Sequence, residues 1–274
     1  MTTRFVQSEI PMKSQLNVSL VQSHLTWHDA AENRRTFDRL MQPLAGQTDL
    51  IILPEMFSTG FTMDAEAVAE PENGPTTDWL RNAAGTLNAV ITGSIVTRAH
   101  GRFWNRLIWM RPDGSFECYD KRHLFRMAGE HERYAEGERK LIVDLHGWKI
   151  CPLICYDLRF PVWSRNRSGS EDAYDVLIYV ANWPERRRYA WQTLLRARAI
   201  ENVSYCIGVN RVGKDAKEIE YSGDSVALDF MGQPLVPELE GEAARTITLD
   251  YEALSAFRKR FPAHMDADSF ELRL

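Results

Sequence analysis

Two hydrophobic periods alternate along the chain. Leu16 to Val21 alternates apolar and polar residues and predicts a strand. Asp29 to Met41 places Ala30, Phe37, Leu40 and Met41 at helical spacing, with Asp29 positioned as N-cap. Asp49 to Pro54 predicts a short strand, apolar throughout its middle and stopped by proline. Thr76 to Leu87 predicts a helix capped by Thr76 or Thr77, and Ala89 to Val96 and Phe103 to Met110 predict strands around a loop at Gly101. Pro112-Asp113-Gly114 is a turn, since proline presets one φ and glycine tolerates the positive one. Phe116 to Lys121 continues as a strand, and the polar stretch Arg122 to Gly137 predicts a long surface loop of the kind that lines active sites.

Regular alternation resumes with the strands Leu141 to Leu145 and Lys149 to Cys155 around a turn at Gly147. A helix is expected from Pro161, a strand over Asp175 to Ala181, and a helix over Arg186 to Asn202 with Trp191, Leu194, Leu195 and Ile200 on one side. Strands over Val203 to Val209, Ser222 to Asp229 and Arg245 to Leu249 precede a closing helix over Tyr251 to Arg260. Alternating β and α segments predict helices on the faces of a sheet, and the short turns between several strands make that sheet mixed. Without repeat, linker or low-complexity segment, the expected organisation is an N-terminal extension over 1–15, poorly ordered, and a single domain over 16–274.

Composition narrows the class. The 274 residues, 44% hydrophobic and 26% charged with 8 Trp, suffice for a sizeable core. A net charge of −5, with Lys and Arg scattered, argues against nucleic acid or an anionic membrane as partner. The run Arg186-Arg187-Arg188 reads as a solvated helix face or a dimer rim. No stretch reaches the roughly 18 apolar residues that span a bilayer, and the first residues lack the apolar run of a signal peptide. Four cysteines without a dense framework suit a reducing cytoplasm.

Three segments carry candidate chemistry. Glu55 follows an apolar strand and Pro54, at the strand edge where open α/β sheets bind ligands. Lys121 ends a strand and opens the long loop. Taken singly, each also reads as a solvated surface charge. His123 is an alternative base, because Cys–His pairs commonly activate thiols, and otherwise a structural hydrogen-bonder. Cys155 sits where an apolar strand turns abruptly polar in Cys155-Tyr156-Asp157-Leu158-Arg159-Phe160-Pro161, near N–H groups that favour a thiolate. Cys151, four residues earlier within the strand, reads as a buried small hydrophobe, and the two cysteines lack the close Cys/His partners of a metal site.

Together these segments resemble the nitrilase, or carbon–nitrogen hydrolase, superfamily, whose Glu-Lys-Cys triad falls on Glu55, Lys121 and Cys155. The resemblance runs from Leu16 to about Arg260. It includes Glu130, seven residues before Gly137, together with Ala181-Asn182-Trp183-Pro184 and Arg196 to Asn202. It implies a four-layer α-β-β-α sandwich with mixed sheets, pairing into a homodimer or higher homo-oligomer, and catalysis without metal or cofactor. Cys155 is then the nucleophile, Glu55 the proton acceptor, Lys121 with the backbone N–H of Tyr156 the oxyanion partner, and Glu130 a second carboxylate orienting Lys121 or the substrate.

The motif around Cys155 looks most like the omega-amidase branch, which deamidates α-ketoglutaramate and related short dicarboxylic monoamides. Near Asn182-Trp183-Pro184 it looks closer to a bacterial subgroup than to the animal type. Arg159 can bind a distal carboxylate as a bidentate fork, or else pair with Asp157 or a nearby carboxylate. Phe61, Phe125 and Trp183 are expected around the short carbon chain. An N-carbamoyl amino-acid or ureidopropionate hydrolase and a nitrilase share the triad. A catalytically silent binding or scaffold protein of the same fold is the non-enzymatic alternative.

Overall fold

Residues 12–167, 169–237 and 239–273 are described by the structure, a computed structural model. In chain order the strands of the first half are β1 (Gln15–Gln22), β2 (Leu50–Ile52), β3 (Glu70–Pro71), β4 (Val90–Ala99), β5 (Arg102–Met110), β6 (Phe116–Asp120) and β7 (Val143–Leu145). Those of the second half are β8 (Trp148–Ile154), β9 (Val176–Ala181), β10 (Tyr205–Asn210), β11 (Val212–Lys214), β12 (Glu220–Ser222), β13 (Val226–Leu228) and β14 (Ala243–Asp250). The helices are α1 (Ala30–Met41), α2 (Ala65–Val68), α3 (Pro75–Leu87), α4 (Glu130–Arg133), α5 (Pro161–Ser164), α6 (Arg188–Asn202) and α7 (Tyr251–Arg260).

Two mixed sheets stack face to face. One has the order β14-β1-β2-β4-β5-β6, with β3 beside β4; the other has the order β13-β10-β9-β8-β7. Strands linked through helices pair in parallel (β1 with β2, β2 with β4, β8 with β9, β9 with β10), whereas the tight turns give antiparallel pairs β4–β5, β5–β6 and β7–β8. The three-residue β2 shows how a continuously apolar strand is used. Leu50 and Ile52 enter the core between the sheets, and Ile51 packs with Phe37 and Met41 of α1 and Leu80 and Ala84 of α3. On the far side, Trp191, Leu195 and Ala199 of α6 join the second sheet's core. Burial of Leu195 alone contributes roughly 1.5–3 kcal/mol. The result is the four-layer α-β-β-α sandwich, and helices close both faces.

Several local expectations change. Helix α3 starts at Pro75, with Gly74 at the N-cap; Glu70, rather than Thr76 or Thr77, satisfies the first turn by accepting from the Thr76 N–H and hydroxyl, both at 2.6 Å. Helix α6 starts only at Arg188, because Glu185–Arg187 forms a 3-10 turn. Its buried side is Trp191, Leu195, Arg198, Ala199 and Asn202, while Ile200 is exposed. Nine residues at about 100° each carry Ile200 to the side opposite Trp191.

The strand expected over Ser222 to Asp229 is split into β12 and β13. Gly223 and Asp224 both have positive φ, and a Cβ on Gly223 would lie 2.3 Å from the Gln22 side chain. Of the expected extension, residues 1–11 lie outside the described residues. Lys13 hydrogen-bonds through its backbone to His146 and Trp148, and Gln15 already opens β1.

Candidate active site

The ends of β2, β6, β8 and β9 deliver polar groups to one edge of the sandwich. After β2, Leu53-Pro54-Glu55 is held against β4 by Leu53 N–H to Thr92 O (2.7 Å), Met56 N–H to Ser94 Oγ (2.9 Å) and Phe57 N–H to Ser94 O (3.0 Å). Lys121 directly follows β6 and donates its N–H to Asn105 O of β5 at 3.0 Å, so Asn105 and Lys121 are cross-strand neighbours. The loop that Lys121 opens is not irregular throughout: it contains the 3-10 turn Arg126–Ala128 and α4. It closes where Gly137 donates to Lys121 O at 2.9 Å. A Cβ on Gly137 would sit 2.1 Å from Asp120 O, so only glycine permits this return.

Glu55, Lys121, Asn105 and Glu130 of α4 form a buried cluster. Lys121 Nζ donates to Glu55 Oε1 at 2.8 Å and to Glu130 Oε1 and Oε2 at 3.0 and 2.9 Å. Asn105 Nδ2 bridges both carboxylates, at 2.9 Å to Glu55 and 3.2 Å to Glu130. Asn182, the first residue past β9, donates its N–H to Glu55 Oε2 at 2.8 Å, and the Phe125 N–H donates to Glu130 Oε2 at 2.5 Å. Glu55, Glu130 and Asn105 are wholly buried and Lys121 nearly so. Both charges expected to be at risk of solvation are thus deep in the protein. Burial pulls the Lys121 ammonium down, but the Glu130 and Glu55 charges outweigh it and hold it above the usual lysine range. Burial pushes the Glu130 carboxyl up, with Lys121 opposing and Glu55 adding to the rise.

Cys155 opens a 3-10 turn, Cys155–Arg159, immediately after β8, and adopts φ 41°. A non-glycine residue in the left-handed region stores backbone strain, of order 1–3 kcal/mol, that surrounding structure must hold. Here the holder is Asp157, wholly buried, whose carboxylate accepts from the Ile154 N–H at 3.0 Å, Tyr119 Oη at 2.8 Å and the His123 N–H at 3.0 Å. The His123 ring also meets Asp157, at 2.8 Å through Nδ1, and stacks on Phe160 at 3.7 Å. This histidine supports the turn; it does not line the cavity at Cys155. Burial and then the Glu55 charge push the Cys155 thiol well above its ordinary range, with Lys121 opposing. Cys155 keeps 9% exposure, whereas Cys151 and Cys206 keep none; burial above all, with Lys140 opposing, pushes the Cys151 thiol up to about 12.

A cavity of about 220 Å³ opens over the thiol. Phe61, Phe125, Arg159 and Trp183, all expected around a substrate, line it together with Lys121, Cys155 and Tyr156, the expected oxyanion donor. Its volume lies below the ~300–1,000 Å³ of drug-sized sites and suits a small metabolite-sized ligand. Arg159 does not pair with Asp157: its guanidinium lies over Trp183, 4.9 Å from the ring centroid. Tyr156 is one residue past the thiol, and its backbone N–H belongs to a first turn, where donors lack intrahelical partners.

Sequence reasoning missed Asn105, Asn182, Asp157 and two arginines. Asn105 interrupts an apolar strand and Asn182 directly follows one, so both carried a readable signal of the kind that marked Glu55. Both Arg186 and Arg187 border the cavity; Arg186 stays exposed at its rim, as a solvated face implies, whereas Arg187, half-buried in the 3-10 turn ahead of α6, lies over Phe125. Arg188, the third of the run, pairs with Asp224.

A family model described as carbon-nitrogen hydrolase matches residues 17–259. The chain is 48% identical over 260 residues to the omega-amidase YafV of Yersinia enterocolitica, covering 94% of this chain and 99% of that one. It is 31% identical to a 2-oxoglutaramate amidase of Paenarthrobacter nicotinovorans, covering 95% and 92% respectively. Among solved structures, a CN-hydrolase superfamily protein of Xanthomonas campestris with an arsenic adduct in its active site superposes with a TM-score of 0.93 at 50% identity, covering 95% of this chain and all of that one. The chain belongs to the carbon–nitrogen hydrolase family and is a hydrolase of carbon–nitrogen bonds.

Proposed function

We propose that the protein is an omega-amidase that releases ammonia from short dicarboxylic monoamides such as α-ketoglutaramate, with Cys155 as nucleophile. The observation that carries this reading is the small cavity lined at once by a thiol, an ammonium and an arginine that, among the described residues, has no carboxylate partner. The names of the relatives support it. Glu55 takes the Cys155 proton as sulfur attacks the amide carbonyl. Its two oxygens already accept from Lys121, Asn105 and Asn182, which leaves lone-pair capacity for one further proton. Lys121 and the Tyr156 N–H hold the tetrahedral oxyanion, roughly 3–4 kcal/mol for a good donor. Glu55 returns the proton to the departing nitrogen, so ammonia leaves and a thioester remains. Glu55 then takes a proton from water, whose oxygen attacks the thioester; the acid departs and the thiol is restored.

Glu130 holds the Lys121 ammonium in place. Arg159 binds the distal carboxylate as a fork, and Phe61, Phe125 and Trp183 enclose the methylene chain. No helix among the described residues is long and apolar enough to cross a membrane. Four free cysteines support a cytoplasmic setting. Exposed Val162, Tyr189 and Ile200 on α5 and α6 support pairing into a homodimer across these helices. Ammonia release from α-ketoglutaramate, succinamate, carbamoyl-β-alanine and a simple nitrile tests the assignment. Turnover concentrated on the first two is the expected result; preference for the carbamoyl compound or the nitrile overturns it.

A further inference from the structure

Arg187 closes the 3-10 turn Glu185–Arg187, half-buried, and lines the same cavity as Cys155. Its guanidinium lies over Phe125, 5.1 Å from the ring centroid, and its backbone carbonyl accepts from Trp183 Nε1 at 2.8 Å. The same Trp183 carries Arg159 on its ring. One indole therefore fixes both arginines on adjoining walls. Among the described residues, neither guanidinium has a hydrogen bond or ion pair, nor do the charged groups of Arg186 and Lys217 beside them. Asp215, the carboxylate that shares this lining, is turned into its own loop. It accepts from the Lys217 and Ile219 N–H groups at 2.8 and 3.0 Å and from Tyr221 Oη at 3.0 Å. Burial, then the charges of Arg186 and Arg159, disfavour the Arg187 cation, which is the condition an electron-rich ligand relieves.

A single carboxylate needs one fork, and here two line the same cavity. We infer that Arg187 is a specificity-determining residue that reads the carbon next to the distal carboxylate, donating to a 2-oxo oxygen there and repelling an α-ammonium. A guanidinium has donors and no acceptor, so it accommodates a carbonyl oxygen and rejects a protonated amine at the same point. The cavity would thereby separate 2-oxo-acid amides from amino-acid amides of equal length. The inference rests on the omega-amidase reading and adds what that reading leaves open, the oxidation state of the α-carbon.

The test compares kcat/KM of wild type, Arg187→Gln and Arg187→Lys on α-ketoglutaramate, glutaramate and L-glutamine, with Tm recorded for each protein. In Arg187→Gln the value for α-ketoglutaramate falls by about ten- to a hundredfold, as loss of a charged hydrogen-bond donor implies, while glutaramate changes less than about threefold. The preference for α-ketoglutaramate over glutamine shrinks by a similar factor. Arg187→Lys keeps the charge without the planar fork and falls between; it carries the comparison should Arg187→Gln lower Tm. Equal losses on α-ketoglutaramate and glutaramate, or an unchanged preference over glutamine, overturn the inference and leave the omega-amidase reading standing. Wild type inactive on both α-ketoglutaramate and glutaramate overturns the two together.

Discussion

Two polar regions meet at Cys155 and are built on opposite terms. In the cluster of Glu55, Lys121 and Glu130, charge is buried and each group is held by several partners: Lys121 by two carboxylates, Glu55 by Lys121, Asn105 and Asn182, Glu130 by Lys121, Asn105 and the Phe125 N–H. At the arginine wall, Arg159 and Arg187 reach the cavity on the faces of Trp183 and Phe125, with no carboxylate among the described residues. The first region is complete before any ligand arrives, as groups that must meet a transition state without reorganising need to be. The second is left for a ligand to complete. The comparison predicts that damage to the cluster affects every substrate, whereas damage to the wall affects only substrates with the matching group.

The largest expected effect is at the thiol. Cys155→Ser removes turnover on all amides, by on the order of 10⁴-fold or more, while Cys151→Ser keeps most activity. Steady-state ammonia release checks both, and preferential inactivating alkylation of Cys151 or Cys206 by iodoacetamide would sink the assignment. Next come Glu55→Gln and Lys121→Ala, each losing about a hundredfold or more on charged and neutral amides alike. His123→Ala, which removes a support of the nucleophile turn, has a milder effect. A crippling His123→Ala beside a mild Glu55→Gln would replace Glu55 with a Cys–His pair.

Arg159→Lys sharpens the other half of the comparison. Its loss falls on succinamate, about ten- to a hundredfold in kcat/KM, and spares a neutral amide of equal length. Equal losses on both would make Arg159 a support of the loop.

The smallest effect is one of stability against pH. The Glu130 carboxyl is raised in the folded protein, so the folded state holds its proton to higher pH than the unfolded chain does. Stability from this group is therefore lost as pH rises from the usual carboxyl range through the folded value. Lys121 opposes the rise, so Lys121→Ala raises Glu130 further. The difference in Tm between wild type and Lys121→Ala should widen from pH 5 to pH 8. A gap that narrows over that range would contradict the charge assignment.

How much of this was legible in the sequence follows from how local each signal is. Glu55, Lys121 and Cys155 each end an apolar strand, and strand ends can be read from a few neighbouring residues. Their meeting at one edge, and the two stacked sheets, depend on long-range pairing, which the resemblance supplied and periodicity did not. Residues that act across strands were lost for the same reason: Asn105 matters because Lys121 lies opposite it, and Asp157 because Tyr119 of β6 and His123 of the loop after it come to it from the other half of the sandwich. Arg187 was misread because a single 3-10 turn decides whether the arginine run lies on α6 or ahead of it. Helix starts of that kind are set by one or two residues.

The central claim, that Cys155 carries the acyl group in a covalent thioester, has a direct test. The enzyme is mixed with succinamate, quenched in acid within the first turnovers, digested and mapped by mass spectrometry. The account predicts a succinyl adduct on Cys155, located by fragmentation of the peptide it shares with Cys151, appearing with a stoichiometric burst of ammonia and accumulating further when deacylation is slowed. Ammonia release with no adduct on any cysteine, or with the adduct on Cys151, Cys118 or Cys206, would contradict it.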